Sequence, residues 1–362
     1  MKRKIVISAV FLVVLTLTMA TGIKSETENA KNKKTETALF RVKVDGKWGY
    51  IDDTGKIVIN PQFSDAKDFN EGLAPIRIGD LETGKYGYID DTGEIVIKPQ
   101  FNDAEDFNEG LAQVVIGGKY GYIDKTGNFV INPQFDYAVD FREGLAAVRT
   151  GDWETGKCGY IDKTGKFVIN PQFHNASDFS EGLAAVNIRY WWKAKKWGFI
   201  DKTGKYIINP QFNGAGSFSE GLAHVVIGRK SGYIDKTGKF VINPQFDFAW
   251  DFSEGLAPVG IGNLKTAKWG FIDKTGKYVI NPQFDFAWGF SEGLARIKIG
   301  DSKTGKWGYI DRTGKLAIAP EFYGAWDFSK GLARINMRNG DWKTEKLGYI
   351  NKTGKWIWEP TR

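Results

Sequence analysis

One ten-residue phrase, "KWGYIDDTGK" at residues 47–56, is rewritten along the chain until it ends as "KLGYINKTGK" at 346–355. Its glycine falls at Gly49, Gly87, Gly121, Gly159, Gly198, Gly232, Gly270, Gly308 and Gly348, with spacings of 38, 34, 38, 39, 34, 38, 38 and 40 residues. Such a period marks a repeat architecture, in which no unit buries its apolar surface alone and each neighbour completes the last. A length of 362 residues would otherwise suggest two or three domains. The period replaces that expectation with one array over residues 38–362, built of nine copies.

Each copy contains three strand patterns. In "EGLAPIRIG" (71–79) the position of Ile76 is taken by Val114, Val148, Val186, Val225, Val259, Ile297 and Ile335 in later copies. The next position wanders through Arg77, Val115, Arg149, Asn187, Gly260 and Lys298, so one side is always β-branched and the other is indifferent. That is a half-buried strand. "KWGYID" and "KIVINPQF" are the second and third strands, joined by "DDTGK" with Gly55 placed for a left-handed turn and Asp52 for capping its amides. A calcium ladder is set aside, because one carboxylate per turn falls short of six oxygens. Pro61 ends the third strand. Phe63, Ala66, Phe69 and Leu73 recur in the connection that follows and are expected to join unit to unit.

The distance from each "GYID" glycine to the next "EGLA" glycine is 23 residues throughout, as from Gly49 to Gly72. All length variation lies between the first two strands. There a tight pair such as Asp45-Gly46, Gly117-Gly118 or Gly228-Arg229 alternates with longer insertions such as "GDWETGK" (151–157) and "RYWWKAKK" (189–196). The frame is constant and one edge is free to vary.

The pattern "KWGYID.TGK.VINPQF…F.EGLA" resembles the WG repeat, also called the KWG repeat, of bacterial proteins, over about 320 residues. The resemblance implies a β-repeat array, frequent in exported proteins, and brings no biochemical activity or site residue with it. The expected fold is all-β: tandem three-stranded antiparallel meanders forming an open curved array, with a closed propeller-like ring as the alternative. Nine units exceed the usual four to eight blades of a propeller. The chain also opens on a first strand, "ALFRVKV", and closes on a third, "KWIWEP", so no terminal strand is left to close a ring.

Residues 1–22 read as a signal peptide, with basic "MKRK" before the apolar run "IVISAVFLVVLTLTMA". An uncleaved anchor is the alternative, since the charge-free stretch Ile5–Ile23 is 19 residues. Residues 23–37 form a polar linker. The protein is expected to be exported, secreted or associated with the cell surface, with membrane contact only through an uncleaved N-terminal segment. The single Cys158 excludes an intramolecular disulfide framework and reads as a strand filler. Net charge is +7, and +4 once Lys2, Arg3 and Lys4 have left with a leader. Acidic residues are spread through every unit, which leaves no basic face for nucleic acid.

No catalytic, cofactor or metal residues are expected. The two histidines, His174 and His224, stand at different unit positions and read as solvent-facing substitutions. The carboxylates recur in step with the fold, whereas an active site needs a unique constellation. The expected function is a non-enzymatic binding module for a cell-surface polymer, such as a cell-wall or host glycan, or for an extracellular protein, with a passive scaffold as the alternative. Candidate ligand residues are Trp153, Trp191, Trp192 and Trp342 on the variable edge. A second set follows the recurring alanine: Lys67, Glu105, Val139, Ser177 and Gly216 give way to Trp250, Trp288 and Trp326, with Phe248 and Phe286 nearby. These three tryptophans are expected in register, either as an exposed ladder or as added core.

Overall fold

The computed structural model describes residues 38–80, 82–188, 196–263, 265–301, 303–337 and 346–359. The expected leader and linker lie outside them. The first repeat forms β1 (Phe40–Val44), β2 (Lys47–Ile51) and β3 (Ile57–Phe63), antiparallel in that order. Asp45 and Gly46 take φ of 49° and 78°, the left-handed pair that a two-residue hairpin of matching twist requires. Between β2 and β3, Asp52 Oδ1 accepts the N–H groups of Thr54 and Lys56 at 2.9 and 3.0 Å. The same aspartate turn recurs from Asp90 to Asp311.

The segment read as a plain connection contains a fourth strand. After Ser64, β4 (Asp65–Ala66) opens the next sheet, followed in order by β5 (Ala74–Ile78), β6 (Lys85–Ile89) and β7 (Ile95–Phe101). Among the described residues eight sheets have four strands and the first has three. The three-stranded meander is therefore corrected. A strand paired only through Asp65 with Arg77 and Ala66 with Ile76 is too short to leave an alternating pattern.

The nine sheets stand in a ring as a nine-bladed β-propeller, so the closed arrangement forms and the open array does not. We number the blades one to nine along the chain. Closure does not need the leftover strand that the sequence lacks, because the first blade packs face to face on the ninth. The Tyr349 hydroxyl donates to Arg41 O at 3.0 Å, and the Phe40 and Tyr349 rings meet edge-on at 5.5 Å. The turn at Gly55 lies on the backbone of Ile357, much as Gly93 lies on Ile59 and Gly127 on Ile97.

Three recurring contacts bind blade to blade. Each tyrosine of "GYID" is buried and meets the phenylalanine of the next blade edge-on, as Tyr50 meets Phe69 at 4.8 Å and Tyr122 meets Phe141 at 4.8 Å. Its hydroxyl donates to the carbonyl two residues before that phenylalanine, at 2.8 Å for Tyr50 to Lys67 and 2.6 Å for Tyr122 to Val139. The third contact is a charged clasp. Glu71 accepts Gly110 N–H at 3.0 Å, while Lys125 Nζ reaches its carboxylate at 3.2 Å and its carbonyl at 2.8 Å. Equivalent clasps run to Glu292, Gly331 and Lys352. They explain why Glu71 holds a left-handed φ of 50°, a conformation that costs a non-glycine residue about 1 kcal/mol. At the seam the charges are exchanged: Lys330 stands in the glutamate position of the ninth blade and Asp53 in the lysine position of the first. Each apolar cluster accordingly draws on two consecutive blades, as Tyr50, Ile59 and Phe63 pack with Ala66, Ala74 and Ile76.

Candidate functional site

The two-residue strand decides where the aromatic candidates point. Alternation puts the residues flanking its alanine on one face, so Phe248 and Trp250 share a side in the seventh blade, as Phe286 and Trp288 do in the eighth. Phe248 lies opposite Gly260, which in turn lies opposite Trp269. The missing side chain at Gly260 lets Phe248 stack on Trp269 at 5.8 Å and 21°. Trp250 then lies parallel to Trp269 at 6.2 Å and to Trp288 at 5.1 Å. Trp269 is 4% exposed and does the packing, whereas Trp250 keeps 36% of its surface in solvent. Trp288, Phe248 and Phe286 are half-buried.

Trp326 does not extend this stack. Instead Arg296 lies 4.7 Å from the Trp288 ring and 5.8 Å from Trp307, and reaches into the ninth blade. Its Nη1 donates to Ala325 O at 2.7 Å and its Nε stands 2.8 Å from Asp327. Trp326 is half-buried with the Arg334 guanidinium 4.3 Å from its ring. The expected ladder of three is thus a stacked pair, then an arginine, then a separate indole.

His224 and His174 depart from their reading as solvent-facing. His224 occupies the strand position of Arg296, and its Nδ1 lies 2.8 Å from Asp251 of the next blade. It repeats the cation-to-aspartate contact made by Arg41 with Asp68 at 3.1 Å. His174 is 6% exposed, and its carbonyl accepts from Arg149 Nη2 at 2.8 Å. Both histidines fill positions at which one blade meets the next, which a comparison of exposed positions along the sequence does not reveal. Cys158 is buried in a strand, and burial raises its thiol pKa.

On the variable edge Trp153 is 65% exposed, with Tyr137 at 5.3 Å and the Arg149 guanidinium at 4.6 Å from its ring. Trp191, Trp192 and Trp342 lie outside the described residues. Among the described residues no group of three His, Cys, Asp or Glu side chains is arranged to hold a metal ion.

A row of carboxylates that the sequence reading did not single out occupies other blades. Asp106 is pushed up to about 6, first by burial and then by the charges of Asp68 and Glu105, against a partial offset from Lys67. Asp140, which accepts from Asn108 Nδ2 at 2.9 Å, and Asp178 are also raised by burial. A carboxyl whose folded pKa exceeds its unfolded value stabilises the fold in its protonated form. That contribution is complete below about pH 4 and is lost as the pH rises through 6. Asp106→Asn is expected to unfold at a higher temperature than the parent at pH 7.5, by at most about 2 kcal/mol, and to match it near pH 4. A gain that is equal at both pH values would rule out this origin.

The ring of four-stranded blades, each opened by the Trp-Gly-type strand, defines a WG-repeat propeller. The WG containing repeat family model matches residues 48–81, 86–120, 120–152, 159–192, 197–230, 232–264, 269–302 and 307–342, and the chain belongs to that family. No curated protein matches it in sequence. Among solved structures it is similar to TolB from Acinetobacter baumannii, at 13% identity over 70% of this chain and 77% of that one, with a TM-score of 0.34. A Pyrococcus horikoshii acylaminoacyl peptidase is 11% identical, with 82% of this chain and 52% of that one covered and a TM-score of 0.41. A prolyl endopeptidase structure reaches 0.45 at 12% identity, over 77% of this chain and 54% of that one.

Proposed function

We propose that this protein is an exported, non-enzymatic binding module that holds a saccharide polymer of a cell surface on the Trp250–Trp288 platform. The observation that carries this reading is Trp250, a ring over a third exposed yet fixed by parallel contacts to Trp269 and Trp288. A rigid indole face loses little entropy on binding and suits the C–H face of a sugar ring. The charged pairs His224–Asp251 and Arg296–Asp327 flank the platform along the ring and supply polar groups that fix orientation. Trp153 on the variable edge offers a further contact for an extended ligand.

The test is titration calorimetry of the protein with chitohexaose, a soluble β-glucan and solubilised peptidoglycan fragments. Saturable binding of at least one is expected. Trp250→Ser together with Trp288→Ser should weaken it at least tenfold while leaving cooperative unfolding in place. Heats absent for all three probes would favour the passive scaffold and end the saccharide reading.

A further inference from the structure

The first sheet differs from the other eight in a way that leaves a shaped acceptor. Among the described residues it has no two-residue strand. Elsewhere that strand is received by a fixed set of groups. Ala66 is fully buried against Ile76. The following residue, Lys67, donates its N–H to Pro75 O at 2.9 Å, and its carbonyl accepts the Tyr50 hydroxyl of the preceding blade at 2.8 Å. Two residues past the alanine stands an aspartate. Where the preceding blade carries an arginine, that side chain clasps both features. Arg41 Nη1 donates to Ala66 O at 2.7 Å, with its Nε 3.1 Å from Asp68. Arg296 does the same to Ala325 O and Asp327, at 2.7 and 2.8 Å. The propeller therefore recognises the segment Ala-x-Asp within itself, by one strand edge, one tyrosine hydroxyl and one arginine.

At the seam the same receiving groups border a cleft of about 400 Å³, lined among others by Phe40, Asp68, Trp326, Arg334 and Tyr349. Arg334 occupies the position of Arg41 and Arg296, one blade before the sheet that lacks the strand. Val42 occupies the position of Ile76, and Arg41 O the position of Pro75 O. The Tyr349 hydroxyl bonds directly to Arg41 O at 3.0 Å. An incoming strand would exchange these bonds without losing one: its N–H takes Arg41 O, and its carbonyl takes the tyrosine hydroxyl. The phenylalanine that follows the aspartate in the other blades is not needed here, since the Phe40 ring already meets Tyr349.

We propose that this edge is a docking site for an extended segment of a partner protein reading Ala-x-Asp, which adds to β1 as its fourth strand. Main-chain bonds to an open edge supply affinity and the side-chain slots supply selectivity. The buried alanine slot demands a small residue, and Arg334 demands the acid two positions on. This site is separate from the saccharide platform, and its ligand is of a different class.

The probe is the blocked peptide Asp-Ala-Lys-Asp, the sequence of residues 65–68, titrated into the full chain and followed by calorimetry. One-to-one saturable binding is expected. Changing the peptide's last aspartate to asparagine should weaken it at least tenfold, and alanine to leucine should abolish it. Arg334→Gln in the protein should weaken the parent peptide to the same degree as the asparagine peptide. The proposal is overturned by absence of saturable binding, by equal binding of the leucine peptide, or by indifference to both charge changes. Concentration-dependent self-association that the peptide reverses would assign the edge to a second copy of this chain, and would also overturn it. Because two of the substitutions are made in the peptide, a folding defect in Arg334→Gln does not blunt the test.

Discussion

Gly121→Ala is expected to destabilise the propeller by about 3 kcal/mol or more, although alanine is the smallest possible addition. A β-carbon at Gly121 would stand 2.6 Å from Ile131 O, 2.7 Å from Pro133 N and 2.9 Å from the carbonyl carbon of Asn132, all of them backbone atoms. Backbone cannot swing aside as a flexible side chain can. The close approach follows from the ladder, in which Tyr120 pairs with Phe135 but Tyr122 pairs with Ile131, so the outer strand carries extra residues opposite Gly121. Pro133 sits in that bulge, where a residue without an N–H is tolerated. Gly144→Ala is the matched control. Gly144 has a left-handed φ of 85° but open space around its missing β-carbon, so only the conformational cost of about 1–2 kcal/mol applies. Denaturant unfolding of both variants checks the order, and equal losses would show that the close approach is not what fixes this glycine.

The same geometry shows what was legible in the sequence. The repeating glycine, the aspartate turns and the β-branched alternation at the position of Ile76 each answer to forces acting within one unit. Each therefore recurs in every copy and can be read by comparing them. Fixed spacing from "GYID" to "EGLA" likewise follows from one frame serving every blade. What escaped lies between units. The strand Asp65–Ala66 is two residues long and exists because its neighbour offers an edge. His224 is explained by Asp251, 27 residues away, and not by its own surroundings in sequence. Ring closure rests on Tyr349 and Arg41, 308 residues apart. The aromatic candidates were found because they break the repeat. Their arrangement was not legible, because Arg296 in place of a third indole is a fact of the eighth blade meeting the ninth.

Phe40→Ala carries the sharpest consequence of closure, because it restores the repeat and should still damage the protein. The other eight blades have alanine at this position: Ala74, Ala112, Ala146, Ala184, Ala223, Ala257, Ala295 and Ala333. In those blades the tyrosine of the preceding blade is met by a phenylalanine from the short strand and its loop, as Tyr309 is met by Phe328 at 4.8 Å. Here Phe40 supplies the ring from the neighbouring strand, 8% exposed and 5.5 Å from Tyr349. Removing it leaves Tyr349 facing an enlarged cleft, at a cost of about 3–5 kcal/mol for a buried phenylalanine. Phe107→Ala, at an interior interface, should cost a similar amount, but the two losses should differ in place. Hydrogen exchange should rise at residues 40–51 and 347–351 for Phe40→Ala, and around residues 86–112 for Phe107→Ala. The emptied slot also acquires the shape it has in the other blades, so a peptide reading Asp-Ala-Lys-Asp-Phe should raise the melting temperature of Phe40→Ala more than that of the parent. If Phe40→Ala melts with the parent and exchanges no faster at the seam, the ring is held shut without that side chain, and closure must rest on the backbone contacts at Gly55 and Arg41.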